Sequence, residues 1–367
     1  MKVIISGGGT GGHIFPAIAI ARAIQEQLPE TEILFVGAEG KMEMEKVPAA
    51  GYKIIGLPIV GIQRRFTLRN LLVPFKLMLS MLKAKNILED FKPDVAVGVG
   101  GYASGPLLRA AAGAGISTLI QEQNSYPGIT NKLLAKKVKR ICVAYTGLEK
   151  YFPADKIIMT GNPVRLEMTK LEGKRARGFE QFKLDADKRT ILIVGGSLGA
   201  RTINLSVQRW AAELEQAGLQ VLWQTGKTFF ETAKQHVQSS QLQHIHVHEF
   251  IKEMDLAYAC ADIIVSRAGA MSIAELCLVK KPCILIPSPN VAEDHQTKNA
   301  LALVQRNAAW LLKDAEAQEK LKSKVLALAA DEHAMHTLCM NIAALGKPDA
   351  AMMIAREVIT LAHNKIN

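Results

Sequence analysis

Two doubly wound α/β domains facing each other across a cleft are the architecture this sequence predicts, and three observations predict it. Short β-branched runs alternate with helical patterns along the chain, the signature of mostly parallel sheets covered by helices on both faces. That rhythm breaks once, after Gly161-Asn162-Pro163, and restarts at Thr190. Each half also opens on a glycine-rich corner between a strand and a helix. A length of 367 residues agrees, since single cores stop growing near ~250–300.

In order, the first half reads as strand 2–6, helix 16–28, strand 32–37 and a long helical stretch within 66–90. Strand 94–99, helix 105–112, strand 117–123, helix 129–136 and strand 140–144 follow. The charged stretch LEMTKLEGKRARGFEQFKLDADKR reads as a linker with a leading helix. The second half restarts with strand ILIVG and continues with strands at 220–224, 244–248, 262–266 and 283–287. Beyond about Asp331 the pattern is helical. The expected division is 1–163, 164–340, and a C-terminal helical segment 341–367 packing back toward the first domain. Ligands in such sheets sit beyond the carboxyl ends of the strands.

Composition narrows the class. With 49% apolar and 22% charged residues the chain has the makings of packed cores, which excludes disorder. The start, MKVIISGGGTGGH, lacks a charged leader followed by an apolar run, so a cytoplasmic protein is expected. The most apolar stretch, 71–82, is broken by Pro74 and Lys76 and falls short of the ~20 residues of a spanning helix. Five scattered cysteines without a C-x-x-C pair read as reduced core thiols. The net charge of +11 is uneven: residues 1–163 hold 20 Lys/Arg against 12 Asp/Glu. Such a basic half attracts phosphates, whether on lipid, nucleic acid or a pyrophosphate substrate.

Gly7-Gly8-Gly9-Thr10-Gly11-Gly12-His13 is the first glycine-rich corner. Its backbone N–H groups and the helix start behind them suit a phosphate. The spacing also satisfies G-x-G-x-x-G, so a dinucleotide site is a rival, although Glu39 stands late for the acidic ribose partner. A turn kept glycine-rich only for packing is the plainer alternative. The second corner, GGSLGAR, places the Ser197 hydroxyl among glycines at a helix start. In SRAGAMSIAE, Glu275 falls about one helical turn inside, where a carboxylate can accept from two ribose hydroxyls; a solvated helix glutamate is the alternative. Gln296, QEQN at 121–124 and the GGYASG loop containing Tyr102 complete the residues expected at strand ends.

Two further signals are discounted. His244, His246 and His248 alternate along one strand face, which reads as exposed rather than metal-binding. Asp185 and Asp187 form the D-x-D pair with which some transferases hold a divalent ion, but they precede a strand instead of closing one. Residues 46–88 carry eight Lys/Arg and no acid, among them Arg64, Arg65, Arg69 and Lys76. Leu68, Leu71, Leu72, Phe75, Leu79 and Leu82 recur there at helical spacing. Such a basic, apolar helix lies either in an anionic membrane interface or with its apolar face on the core. With 5% aromatics, no stacking platform for nucleic acid is evident.

Taken in order, GGGTGGHIFPAIAIA, GGYASGP, QEQN, GNPVR, GGSLGAR, SRAGAMSIAE and HQTKNA resemble the MurG family of bacterial N-acetylglucosaminyltransferases, glycosyltransferase family 28. The resemblance spans nearly the whole chain. It implies the GT-B fold and inverting, metal-independent transfer with no cofactor. The implied donor is UDP-N-acetylglucosamine, and the implied acceptor is undecaprenyl-pyrophosphoryl-N-acetylmuramoyl-pentapeptide (lipid I), giving lipid II. The implied place is peripheral, on the cytoplasmic face of the inner membrane, with an anionic membrane surface as partner and other cell-wall synthesis proteins as further candidates. Carried onto this sequence, Ser197 would hold a phosphate, Glu275 the ribose, and Ile251 the uracil through its backbone. Ala270, Met271, Ser272, Ile273 and Ala274 would frame the nucleotide. Gln296 and Asn124 would meet the sugar and Arg165 would lie near the cleft. Thr10, Gly11 and Gly12 would close on the donor from the first domain. His13 is the candidate base and Glu122 the second choice, while Tyr102 belongs with the acceptor side.

Rival classes remain open at this point: an NAD-dependent oxidoreductase, a UDP-sugar epimerase of similar fold, and a membrane scaffold that only binds UDP-sugar.

Overall fold

In the computed structural model the described residues are 1–59, 73–164, 168 and 170–364. They divide into two compact units, Met1–Val164 with Pro348–Asn367, and Arg165–Lys347.

The first unit is built on β1 (Lys2–Ser6), α1 (Gly11–Gln27), β2 (Glu32–Ala38), α2 (Glu43–Ala49), β3 (Lys53–Leu57) and α3 (Val73–Phe91). It continues with β4 (Val95–Gly98), α4 (Ser104–Gly113), β5 (Ser117–Glu122), α5 (Ile129–Leu134), β6 (Arg140–Val143) and β7 (Ile157–Met159). The strands form one parallel sheet in the order β3-β2-β1-β4-β5-β6-β7. Continuous apolar runs such as VIIS and VAVG are buried on both faces, as a helix-covered parallel sheet requires. On one face Ile14, Ala17, Ile18, Ala21 and Ile24 of α1 share a core with Ile354, Ala355, Val358 and Leu361 of the last helix, α14 (Ala350–His363). The chain therefore returns to the first sheet to finish it. The other face is covered by α3 and α4 through Ala84, Ile87, Leu88, Leu107 and Leu108.

In the second unit α6 (Lys174–Phe182) precedes β8 (Arg189–Val194), α7 (Arg201–Gln216), β9 (Leu219–Gln224), α8 (Phe230–Ser239) and β10 (Ile245–His248). Then come α9 (Met254–Cys260), β11 (Ile263–Ser266), α10 (Ala270–Val279), β12 (Cys283–Leu285), α11 (His295–Val304) and β13 (Trp310–Leu311). Helices α12 (Ala317–Ala330) and α13 (Glu332–Ala343) close the unit. Its parallel sheet runs β10-β9-β8-β11-β12-β13, the same reversal of strand order as in the first unit. The crevice rule for such sheets puts ligands where that order reverses, beyond β1 and β4 in one unit and beyond β8 and β11 in the other. The two glycine-rich corners occupy those positions.

Three local expectations are revised. Helix α1 starts at Gly11, not at 16, because Thr10 already accepts from the N–H groups of His13 and Ile14 at 3.1 and 3.2 Å. Strands β3 and β7 were not evident in the sequence; both lie at sheet edges and are short. The histidine face of β10 is half-buried rather than exposed, since Phe182 from α6 packs on it, its ring edge-on to His248 at 5.4 Å.

Candidate active site

At the end of β1, the loop 7–10 and the loop 99–103 after β4 lie side by side, joined by the Val99 N–H donating to the Ser6 carbonyl at 2.7 Å. His13, in the first turn of α1, is half-buried between them. Its Nδ1 lies 3.0 Å from the Gly8 carbonyl. A carbonyl only accepts, so Nδ1 carries the hydrogen, and in the neutral ring Nε2 carries the lone pair. The ring rests on Gly100: a Cβ there would come within 2.8 Å of it, and that residue has φ +91. A glycine is needed at 100 to leave room for the imidazole. The N–H groups of Gly11 and Gly12 open α1, where a helix has no internal acceptor for them. Thr10 precedes them with its hydroxyl 3.4 Å from His13 Nδ1. Tyr102, on the neighbouring loop, is exposed.

The QEQN segment ends β5 in a buried amide network. Gln121 donates to Asn162 Oδ1 at 2.9 Å, Asn162 Nδ2 to the Gln123 carbonyl at 2.9 Å, and Gln123 to the Val99 carbonyl at 2.9 Å. Glu122 is 1% exposed and accepts from Asn124 N and Nδ2, Gly128 N and Asn131 Nδ2, at 2.8–3.2 Å. Four donors on one carboxylate make it the organiser of the loop 123–128. Taking up a proton would break that loop, so the structure argues against the second-choice base.

In the second unit, the loop 195–200 follows β8 and delivers the chain to the N-terminus of the 16-residue α7. Ser197 is exposed at its tip. Gln224, at the end of β9 and 2% exposed, ties the loop after β8 to the segment after β10. Its Nε2 donates to the Gly196 carbonyl at 3.0 Å and its Oε1 accepts from Ile251 N at 2.9 Å. The Ile251 N–H is therefore committed to Gln224.

Beyond β11, Arg267 donates to the carbonyls of Ile286 and Pro287 at 3.1 and 3.2 Å and pairs with Asp314, both side chains being largely buried. That clamp fixes the loop from which α10 starts. Ala270, Met271 and Ser272 form the first turn of α10, where N–H groups face outward along the helix dipole. Ile273 is 3% exposed, so its side chain contributes packing. Ala274 and Glu275 are half-buried on the next turn, and the Glu275 carboxylate accepts from the Tyr258 hydroxyl. Gln296, in the first turn of α11, accepts from Ser288 N at 2.9 Å, which leaves its Nε2 end to donate. Just before it, Glu293 and Asp294 both adopt left-handed backbone (φ 54 and 52), a strained corner of the kind found at functional sites.

Asp185 and Asp187 sit before β8, at the opposite end of the sheet from these loops. The Asp185 side chain caps its own turn, accepting from Asp187 N at 3.0 Å. Glu39, which stands late for the acidic partner of a dinucleotide site, pairs with Lys83 at 2.9 Å.

The basic segment falls partly on α3. Phe75, Leu77, Met78, Leu79 and Leu82 are exposed, while the core-facing positions are Ser80, Ala84, Ile87 and Leu88. Of the apolar stripe predicted as either core or interface, Phe75, Leu79 and Leu82 thus stand outside, while Leu68, Leu71 and Leu72 lie outside the described residues. Beside it, Met78, Met81, Leu82 and Lys85 of α3 line a groove of about 640 Å³ with Arg109 and Lys137. No described helix is long and apolar enough to cross a membrane. Lys76 is half-buried on α3, whereas Arg64, Arg65, Arg69 and Arg165 lie outside the described residues.

Sequence reasoning missed Gln224, Tyr258, the Arg267–Asp314 clamp and the cations at 109 and 137. Each acts through a contact distant in sequence, and no spacing announces it.

Comparison with known proteins shows the family of the chain. The sequence profiles of the Glycosyltransferase family 28 N-terminal and C-terminal domains match residues 3–143 and 190–354. A relative from Cytophaga hutchinsonii, named UDP-N-acetylglucosamine--N-acetylmuramyl-(pentapeptide) pyrophosphoryl-undecaprenol N-acetylglucosamine transferase, is 56% identical over 98% of this chain and 96% of its own. One of the same name from Bacteroides thetaiotaomicron is 57% identical over 99% of this chain and 98% of its own. Among solved structures, MurG of Acinetobacter baumannii is similar with a TM-score of 0.80 and 27% identity, covering 98% of this chain and 99% of that one. A UDP-GlcNAc 2-epimerase from Neisseria meningitidis shares the fold at a TM-score of 0.68 and 17% identity, covering 98% of this chain and all of that one. The chain is a GT-B glycosyltransferase and belongs to glycosyltransferase family 28.

Proposed function

We propose that this enzyme transfers N-acetylglucosamine from UDP-N-acetylglucosamine to undecaprenyl-pyrophosphoryl-N-acetylmuramoyl-pentapeptide, making the disaccharide-pentapeptide lipid of peptidoglycan synthesis. The observation that carries the reading is identity above 55%, over nearly the whole chain, to relatives bearing that activity in their names. The site geometry agrees with it. The nucleotide is assigned to the second unit, with the ribose on Glu275, the uracil on the Ile251 carbonyl and the diphosphate on Ser197 and the helix starts of α7 and α10. Gln296 and Asn124 are assigned to the sugar.

The chemistry proposed is a single displacement. His13 Nε2 takes the proton of the attacking sugar hydroxyl, whose oxygen forms a bond to the anomeric carbon. The bond from that carbon to the diphosphate oxygen breaks, and UDP leaves with the electron pair. One displacement inverts the anomeric centre. Negative charge growing on the leaving diphosphate is met by helix N-termini and loop N–H groups, dipoles already oriented before reaction. The D-x-D pair lies at the wrong end of its sheet to reach that charge, which supports a metal-independent reaction.

The exposed stripe of α3, with the cations around it, is assigned to the anionic cytoplasmic face of the membrane, where the lipid-linked acceptor resides. Apolar side chains left in water beside Lys85, Arg109 and Lys137 gain both burial and counter-charge at such a surface. Incubation with labelled UDP-N-acetylglucosamine and a short-chain lipid I analogue tests the whole reading. A β-linked disaccharide formed in the presence of EDTA is expected. An α-linkage, or turnover abolished by EDTA and restored by Mg²⁺, would overturn the mechanism; absence of any disaccharide would overturn the substrate assignment.

A further inference from the structure

The side chain of Glu43 lies among the glycines of the first loop, where no motif pointed to it. It starts α2, is 0% exposed, and is surrounded by backbone. One carboxylate oxygen accepts from Gly9 N at 2.9 Å and the other from Ala38 N at 3.0 Å. Gly8 and Gly37 have no side chain because Glu43 fills that space: a Cβ on Gly8 would fall 2.1 Å from its Oε1, and one on Gly37 2.6 Å from its Cγ. Burying a carboxylate is costly unless donors satisfy it, and an apolar residue of the same shape would leave two backbone N–H groups without acceptors. The Gly9 N–H spent here is also withdrawn from any phosphate, so the loop is not a simple anion cradle.

What the contact does hold is the residue before it. Gly8 contributes the carbonyl that accepts from His13 Nδ1, and this bond decides which ring nitrogen carries the lone pair. We propose that Glu43 is a positioning residue, whose carboxylate locks the 7–9 backbone so that the Gly8 carbonyl fixes the tautomer and orientation of His13. This rests on the reading of His13 as base, but the ring geometry can be measured without turnover.

Glu43→Gln is the direct variant. Its amide oxygen satisfies one N–H while its NH₂ faces the other, donor against donor. Gly8→Ala attacks the same contact from the opposite side, by driving a methyl group into the carboxylate, and serves if Glu43→Gln does not fold. With ¹⁵N-histidine labelling, long-range ¹⁵N–¹H spectra report the His13 tautomer in the free enzyme, assigned by loss of the signal in His13→Ala. The wild type is expected to show a hydrogen on Nδ1 alone, and each variant a mixture with the Nε2–H form. UDP affinity should be unchanged, and kcat should fall by about tenfold or more, short of the loss on removing a general base outright. A folded variant with an unchanged tautomer overturns the proposal, whatever its rate. A mixed tautomer with unchanged kcat supports the positioning role and instead removes His13 as base.

Discussion

The Tyr258 hydroxyl donates to Glu275 Oε2 across 3.0 Å, from α9 to α10. Tyr258 is 5% exposed, so this bond is made inside the fold and restricts the rotamers of the carboxylate one helical turn into α10. A carboxylate aimed in advance binds two vicinal hydroxyls at lower entropic cost than a mobile one.

Glu275→Ala should lose two charge-assisted hydrogen bonds to ribose, weakening UDP by roughly 3–4 kcal/mol, a few hundredfold, with the fold intact. Tyr258→Phe keeps the carboxylate but frees it, so a smaller loss of about 0.5–1.5 kcal/mol is expected. Calorimetry with UDP reads both. Equal affinity in folded Glu275→Ala would remove Glu275 from the nucleotide site.

The membrane assignment concerns Phe75, Leu79 and Leu82, three exposed side chains on one stretch of α3. Their triple replacement by Ser should cost several kcal/mol of interfacial burial, at about 1.5–3 kcal/mol for each side chain fully buried. Binding to vesicles containing anionic lipid should drop well over tenfold while UDP affinity stays. Replacing Arg64, Arg65, Arg69 and Lys76 by Gln should release the protein in the same way, and more so at low salt. Vesicle binding equal to wild type in both variants would return α3 to a purely structural role.

His246 and His248 supply a pH prediction. Burial lowers the pKa of both below its ordinary value, and the neighbouring histidines lower that of His246 further. The unfolded chain then binds more protons than the folded one once the pH falls below about 6.5. Stability is therefore full above that pH and is lost progressively as pH falls through the folded-state values. Thermal unfolding followed between pH 7.5 and 5 should show this slope, and replacing both residues by Leu should flatten it. An unchanged slope would place the pH sensitivity elsewhere.

Much of the fold could be read in advance because it rests on local signals. Runs such as KVIIS, ILIVG and ADIIVS are continuous and apolar, and glycines follow directly at two of the strand ends. Edge strands β3 and β7 carry weaker signals, since half-buried residues interrupt their patterns. At the candidate site, Ser197, Glu275 and His13 could be proposed from the sequence because each stands next to a corner the backbone must turn. Glu43, Gln224 and Tyr258 were not, because their partners come from other elements. Glu122 shows the limit from the other side: the strand end marked it as important, but only four hydrogen bonds reveal that its carboxylate serves the loop.

The central claim is that His13 is the base for glycosyl transfer, and single-turnover and steady-state kinetics of His13→Ala test it most directly. With UDP-N-acetylglucosamine and a lipid I analogue, kcat should fall by ~10²–10⁴ while UDP affinity is little changed, the range for losing a positioned general base. A fall of less than about tenfold in kcat, with a raised acceptor KM, would contradict the account and make His13 a binding residue.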